Sequence, residues 1–271
     1  MRSNNRCPQE GMAWALLLLL GVVIAVHWFE YNRTIQEYTF AQPKSAAEIR
    51  GVISEKTPIV AEIGALPWRA SVVNDATWPV STSEGVEMPV SEWLKQEDSA
   101  RQVIGNGSAL AEIMGLSTGL SDVDESRRWW WIPGLHDLRV DILGPGKTLG
   151  LHWTCAERHW IGCSDGEPLT LWLVHSRYRK FLPAVADDPW SLTVADAPWI
   201  GRVQYIEVIV RPGWCVGVPA HWGVAARSEA TTKSESTSGT LSGTTSEAGS
   251  SWVWTADQHS PISLALANLS A

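Results

Sequence analysis

With 271 residues the chain is long enough for one or two domains, and a hydrophobic content of 45% supplies a sizeable core. A formal net charge of −8 argues against a nucleic-acid binder, which presents a basic face.

Residues 1–11 form a short tail carrying Arg2 and Arg6. Residues 12–29 (MAWALLLLLGVVIAVHWF) contain no Asp, Glu, Lys or Arg, and their 18 positions would cover about 27 Å as a helix, at the short end for a bilayer. A cleaved signal peptide competes with an anchor here. The basic start fits a signal peptide, but Val26-His27-Trp28-Phe29 offers no small-x-small cleavage site, so the stretch reads as an uncleaved transmembrane anchor in contact with the lipid bilayer. Trp14 and Trp28 lie near its two ends, where interfacial tryptophan is common. Arg2 and Arg6 outweigh Glu10 on the near flank, while Glu30, Arg33 and Glu37 mark the far one. The positive-inside rule then puts the N-terminus in the cytosol and the bulk of the chain in a lumen or outside the cell. A short span favours a thin endomembrane. The sequons at Asn32, Asn106 and Asn268 agree with a lumenal domain. Cys7, just before the anchor, is a candidate for acylation.

Residues 30–45 read as a stalk and 46–271 as one domain. Ser45-Ala46-Ala47-Glu48 is a capping-box pattern that starts a short helix over about 46–55. Thr57–Ile63 reads as a strand, 64–68 as a loop, Ser91–Leu94 and Ser108–Met114 as short helices, and 117–128 as a polar loop. From Trp129 the pattern turns to β. Trp129-Trp130-Trp131 cannot all face inward from a strand, because neighbouring side chains point to opposite faces. The 17 tryptophans read first as core and rim residues, and second as a stacking platform for sugars or other flat ligands. Strands are expected at Leu138–Leu143, Thr148–Thr154, Leu169–Val174, Tyr205–Val210, Trp214–Val218 and Trp222–Ala226, punctuated by Gly and Pro turns. Residues 228–251, rich in Ser, Thr and Gly, read as a disordered segment, either a long hairpin loop within the domain or a linker to a separate C-terminal motif. Two more strands are expected at Trp252–Trp254 and Pro261–Leu269. Cys155, Cys163 and Cys215 allow one disulfide in an oxidising lumen, or three free thiols.

The run Arg211–Val224 carries a family resemblance. Its Pro-Gly turn, short strand, Pro219 and Trp222 are spaced as in the cupin-like, JmjC-like jelly-roll family, and Pro58 to Trp68 resembles that family's opening element. The resemblance implies a mainly β, double-stranded β-helix (jelly roll) with a few N-terminal helices, here behind a single transmembrane helix. It also implies Fe(II) held by a His-x-Asp/Glu pair and a distal His, and 2-oxoglutarate held by a base near a Gly-x-Lys turn. His152 matches the first ligand. Thr154 stands in place of the carboxylate, Val224 in place of the distal His, and Trp214 where the family has Asp. Asp165-Gly166-Glu167-Pro168 has no base for the co-substrate. One ligand of the metal triad survives, so no catalytic residue, metal or cofactor is expected. His221 lies three residues before the distal position and would point to the opposite sheet face.

The leading expectation is therefore a pseudoenzyme-like domain that binds a peptide, glycan or protein partner, and no nucleic acid. Its aromatic mouth would be lined or bordered by His152, Trp153, Thr154, Trp160, Trp214, His221, Trp222 and Val224. One alternative is an Fe(II)/2-oxoglutarate hydroxylase with a site rearranged among His152, Glu157, His159, His175 and His221. Another is a structural or assembly protein of a membrane.

Overall fold

The computed structural model describes residues 8–33, 39–44, 48–49, 52, 55–63, 79–82, 85–93, 95, 104–105, 111–112, 135–229 and 250–270. The expected loops at 64–68 and 117–128, the Trp129–Trp131 run and nearly all of the Ser/Thr-rich loop lie outside these residues, as does most of the helix expected over 108–114.

The chain starts with helix α1 (Pro8–Asn32). Within it, Ala13–Asn32 is long and apolar enough to cross a membrane, with a mean hydropathy of 2.0. Its side chains from Ala13 to Val26 are exposed, and burial begins only in the last turns, where Tyr31 is buried. The segment read as a stalk is held against the domain where it is described. Ala41 bridges to Ile59, and Phe40 packs on the core.

Strand β1 (Ile59–Glu62) is followed by β2 (Pro79–Thr82), β3 (Glu87–Pro89), α2 (Val90–Trp93) and β4 (Ile104–Gly105). The β-rich part then runs through β5 (Leu135–Leu143), β6 (Thr148–Trp153), β7 (Arg158–Gly166), β8 (Leu169–Val174), β9 (Tyr205–Val210), β10 (Trp214–Pro219), β11 (Gly223–Ser228) and β12 (Ser251–Gln258), and α3 (Pro261–Ser270) follows. Two antiparallel sheets result. The larger has the order β1-β10-β7-β12-β5 and the other β6-β11-β8-β9, while β3-β2-β4 make a small third sheet.

Two cores follow from the alternation of side chains along the strands. Between the two main sheets lies an aliphatic layer that includes Leu143, Ile161, Cys163, Leu171, Leu173, Val216, Val218, Val224 and Val253. On the outer face of the five-stranded sheet, Trp160, Trp252 and Trp254 pack with Trp93, Ile49 and Val80 from the N-terminal region. Small residues opposite make room for the indoles. Trp254 pairs across the ladder with Gly162 and Trp160 with Gly217. A Cβ at Gly162 would lie 2.3 Å from Trp254, and one at Gly217 would lie 2.7 Å from Trp160. The tryptophan excess is thus largely consumed in packing, at least among the described residues.

Several expectations are corrected. Pro261–Ser270 is a helix, where a strand was expected. Its apolar alternation imitates a strand, but Ser260 caps the helix, its Oγ accepting the Ser263 N–H at 3.2 Å, and Pro261 occupies the first turn, where proline is tolerated. β7 had not been foreseen, because Arg-His-Trp-Ile-Gly-Cys-Ser-Asp-Gly has no apolar/polar alternation. The strand is buried on both faces, so polar and apolar residues alike lie inside. β11 begins at Gly223, and His221 and Trp222 belong to the preceding turn. Cys155, Cys163 and Cys215 are free. Cys163 and Cys215 belong to the inner and outer cores respectively, so their side chains point to opposite faces and cannot bridge.

Candidate functional site

Loops 154–157 and 220–222 meet at one end of the sandwich. The Thr154 N–H donates to Trp222 O at 2.9 Å, and the His221 N–H donates to Thr154 O at 2.9 Å. β12 reaches the same end, since Gln258 pairs with Arg158 at the start of β7. The inner wall changes character here. His152 sits directly opposite Val224 in the β6–β11 ladder. Cross-strand partners share a face, so both project between the sheets. On the opposing sheet, His159 pairs with Asp257, in the same alternation as the inner residues Ile161 and Cys163. The imidazoles of His152 and His159 meet edge to face, with centroids 5.2 Å apart, and so link the two sheets.

Of the other residues expected at the mouth, Trp222 is buried in the inner core, edge-on to His175. Thr154 is buried just past β6, and its hydroxyl donates toward the carbonyls of Pro219 (2.9 Å) and Trp222 (3.2 Å). Trp153 alternates with His152 and faces the other side of its sheet, where Arg179 lies 5.6 Å over its ring. Trp160 lies in the outer core. Trp214 is at the far end of β10 from Pro219, half-buried against the inner core. His221 is in the turn, at a φ of 68°, and its ring lies 4.6 Å from that of Tyr31. The strand-parity argument for His221 therefore does not apply. The histidine set of the rearranged-site alternative is dispersed as well. His152 and His159 are together, Glu157 pairs with Lys56, and His175 lies against Trp222.

The iron site implied by the family resemblance can be tested on these residues. The position opposite His152 is a fully buried valine, and the only oxygen on the Thr154 side chain is a neutral hydroxyl engaged by two backbone carbonyls. The triad does not fit Fe(II), which needs two imidazoles and a carboxylate on one face.

Asp257 was not anticipated, and His159 only as one member of a dispersed set. Asp257 Oδ1 accepts from His159 Nδ1 at 2.6 Å. The pairing spans 98 residues, and no local sequence signal announces it. Burial would raise the Asp257 carboxyl, but the hydrogen bond and charge interaction with His159 outweigh it and hold the group below the usual carboxylate range. Burial pushes His152 down to about 4, helped by His159 and opposed by the Gly150 carbonyl, which lies 3.2 Å from its Nδ1. His152 is thus a neutral imidazole near pH 7. On β5, which pairs with β12 in the facing sheet, burial lifts Asp141 to about 6, against the pull of Arg139.

The same end carries the apolar helix. The Tyr31 hydroxyl donates to Cys155 O at 2.7 Å, and α1 also packs against α3. An apolar cavity of about 30 Å³, lined by residues that include Leu151, Trp172, Val174, Leu182 and Tyr205, opens on the side of β6 opposite His152.

These features define a mainly β protein with two antiparallel sheets and one N-terminal apolar helix. No protein-family model and no curated protein matches the chain.

Proposed function

We propose that this protein is a membrane-anchored jelly-roll domain that acts by binding a peptide, glycan or protein partner at the helix-proximal end of the sandwich. In this proposal it does not run cupin-like iron oxygenase chemistry. The observation that carries it is the His152–Val224 pair, because an aliphatic side chain occupies the place where the family's distal ligand would project. The jelly-roll assignment is supported by strand order. Taking β5 to β12 as eight successive strands, the sheets read first-eighth-third-sixth and second-seventh-fourth-fifth, an arrangement of two Greek keys. α1 serves as the bilayer anchor, with the N-terminus cytosolic and the domain on the lumenal side of an endomembrane.

Two assays test the proposal. Supplied with Fe²⁺, 2-oxoglutarate and lumenal peptides, the protein is expected to release no more succinate than a His152→Ala control; turnover above that control overturns the non-catalytic reading. Cross-linking in the native membrane is expected to capture a ligand through residues around loops 154–157 and 220–222. Capture only through the opposite end of the sandwich, near Trp214, overturns the placement.

A further inference from the structure

Beside the His159–Asp257 pair, and apart from the His152–Val224 position, three side chains converge from distant parts of the chain. Ligand atoms of Asp137, Asp257 and His259 all lie within 4.8 Å of one another. We propose that these residues form a binding site for a divalent transition-metal ion, with His159 as a positioning residue.

A β-bulge brings Asp137 to the site. Thr255 pairs with Arg139 and Asp257 with His136, so two residues of β5, Asp137 and Leu138, oppose the single residue Ala256. Bulges of this kind re-aim side chains. Asp137 takes a φ of 49°, which Asp tolerates better than most residues.

Each of the two inner ligands has a partner of its own. Asp257 uses Oδ1 to accept from His159, which leaves Oδ2 for an ion. His259 is 3% exposed, and its Nδ1 lies 3.2 Å from Ser263 Oγ. Ser263 Oγ is itself fixed by the Ser260 N–H, from which it accepts at 2.8 Å, and lies 3.1 Å from Ser260 O. On its other side, His259 Nε2 lies 3.8 Å from Asp137 Oδ2. That distance is too long for a hydrogen bond. It is close to the separation of about 3–3.5 Å expected for two atoms bound to one ion at about 2.1 Å. Imidazole and carboxylate ligands steadied through their second polar atoms are the usual construction of a metal centre.

A second observation points the same way. His159 is 8% exposed, and its Nε2 is buried without a hydrogen-bond partner. A buried imidazole with one nitrogen committed to Asp257 and the other unsatisfied is costly as a purely structural element. As the support of a ligating carboxylate it has a role. Two carboxyl groups and one imidazole make a nitrogen-oxygen donor set of the kind that suits Zn²⁺, Mn²⁺, Fe²⁺ or Co²⁺. Water would complete the coordination. Because His259 immediately precedes the Ser260 cap, the ion would tie α3 to β5 and β12.

The test is titration of the full-length, detergent-solubilised protein with Co²⁺, followed by absorption, and with Zn²⁺, followed by calorimetry. One equivalent is expected to bind, with the visible bands of nitrogen-coordinated Co²⁺. Asp257→Asn and His259→Ala should abolish the bands. Asp137→Asn, at an exposed position that leaves the fold intact, should weaken binding at least about tenfold, and His159→Ala by about 10–100-fold through Asp257. His152→Ala should leave binding unchanged. No saturable binding, or binding that Asp137→Asn leaves untouched, overturns the proposal. Binding lost only with His152→Ala also overturns it, and would in addition move the ion to the position at which the non-catalytic reading fails.

Discussion

The two faces of the five-stranded sheet solve different problems. Its outer face is a packing surface, where Trp160 and Trp254 lie across Gly217 and Gly162 and neither an imidazole nor a carboxylate joins the described cluster. Its inner face is aliphatic through most of its length and then, at one end, presents His159 and Asp257 to His152 of the facing sheet. Abundance and chemistry are therefore separated. Tryptophan, unusually frequent at 17 of 271 residues, holds the sheet, whereas a few imidazoles and carboxylates at the end beside α1 hold what chemical potential the fold has.

The largest effects should come from breaking the outer face. Trp254→Ala is expected to destabilise by about 3–5 kcal/mol through the cavity it leaves. Gly162→Ala should cost a comparable amount, since its Cβ would overlap the Trp254 ring. Urea unfolding of each variant checks this, and losses below about 1 kcal/mol would show that the indole–glycine pairs are not the packing unit.

The inner face should instead respond to pH. His152 has a folded pKa of about 4 against about 6.5 unfolded. Its contribution is full above about pH 6.5 and falls as the pH drops toward 4, by up to about 3 kcal/mol, because the unfolded chain binds the extra proton. Asp141 works in the opposite sense. Its folded pKa of about 6 is raised above the ordinary 3.8, so its charge destabilises the fold increasingly as the pH rises from about 4 through 6. Asp141→Asn should therefore stabilise the protein by about 1–3 kcal/mol at pH 7, make no difference at pH 4, and leave the steeper acid loss due to His152 exposed. Unfolding midpoints at the two pH values decide this; a variant equally stabilised at both would contradict it.

A smaller effect should separate the roles of His152 and Thr154. Thr154→Val removes the hydroxyl from the Pro219 and Trp222 carbonyls and should cost about 1–3 kcal/mol. The Co²⁺ titration should not change. Lost Co²⁺ binding in a folded Thr154→Val variant would show that the loop end and the ion site act as one.

Much of the β framework was legible in the sequence. Leu169–Val174 and Tyr205–Val210 fall where apolar runs bounded by turns put them, and the Pro212-Gly213 turn is built as expected, with Gly213 at a φ of 85°. Spacing did not reveal that His152 lies opposite Val224: the family resemblance matched each to a position of the metal triad, and the β6–β11 register pairs them. What escaped was non-local or masked by composition. β7 carries His159 in a strand with no alternation, and Asp257 reaches it from 98 residues away. Asp137 depends on a bulge that only the strand register reveals. The helical ending at Pro261 was hidden because Ile-Ser-Leu-Ala-Leu alternates like a strand, and the serine cap decides the matter. Tryptophan pointed the wrong way for chemistry. Trp153, Trp160 and Trp214 fall on three different surfaces, because side-chain direction depends on which sheet a strand joins.

The most direct test of the account is calorimetric titration with Fe²⁺ of the wild-type protein and the His152→Ala variant. Identical isotherms are predicted, with any iron uptake depending on Asp257 and His259. Micromolar binding that His152→Ala abolishes would contradict it, and would place a working metal centre where Val224 now argues for none.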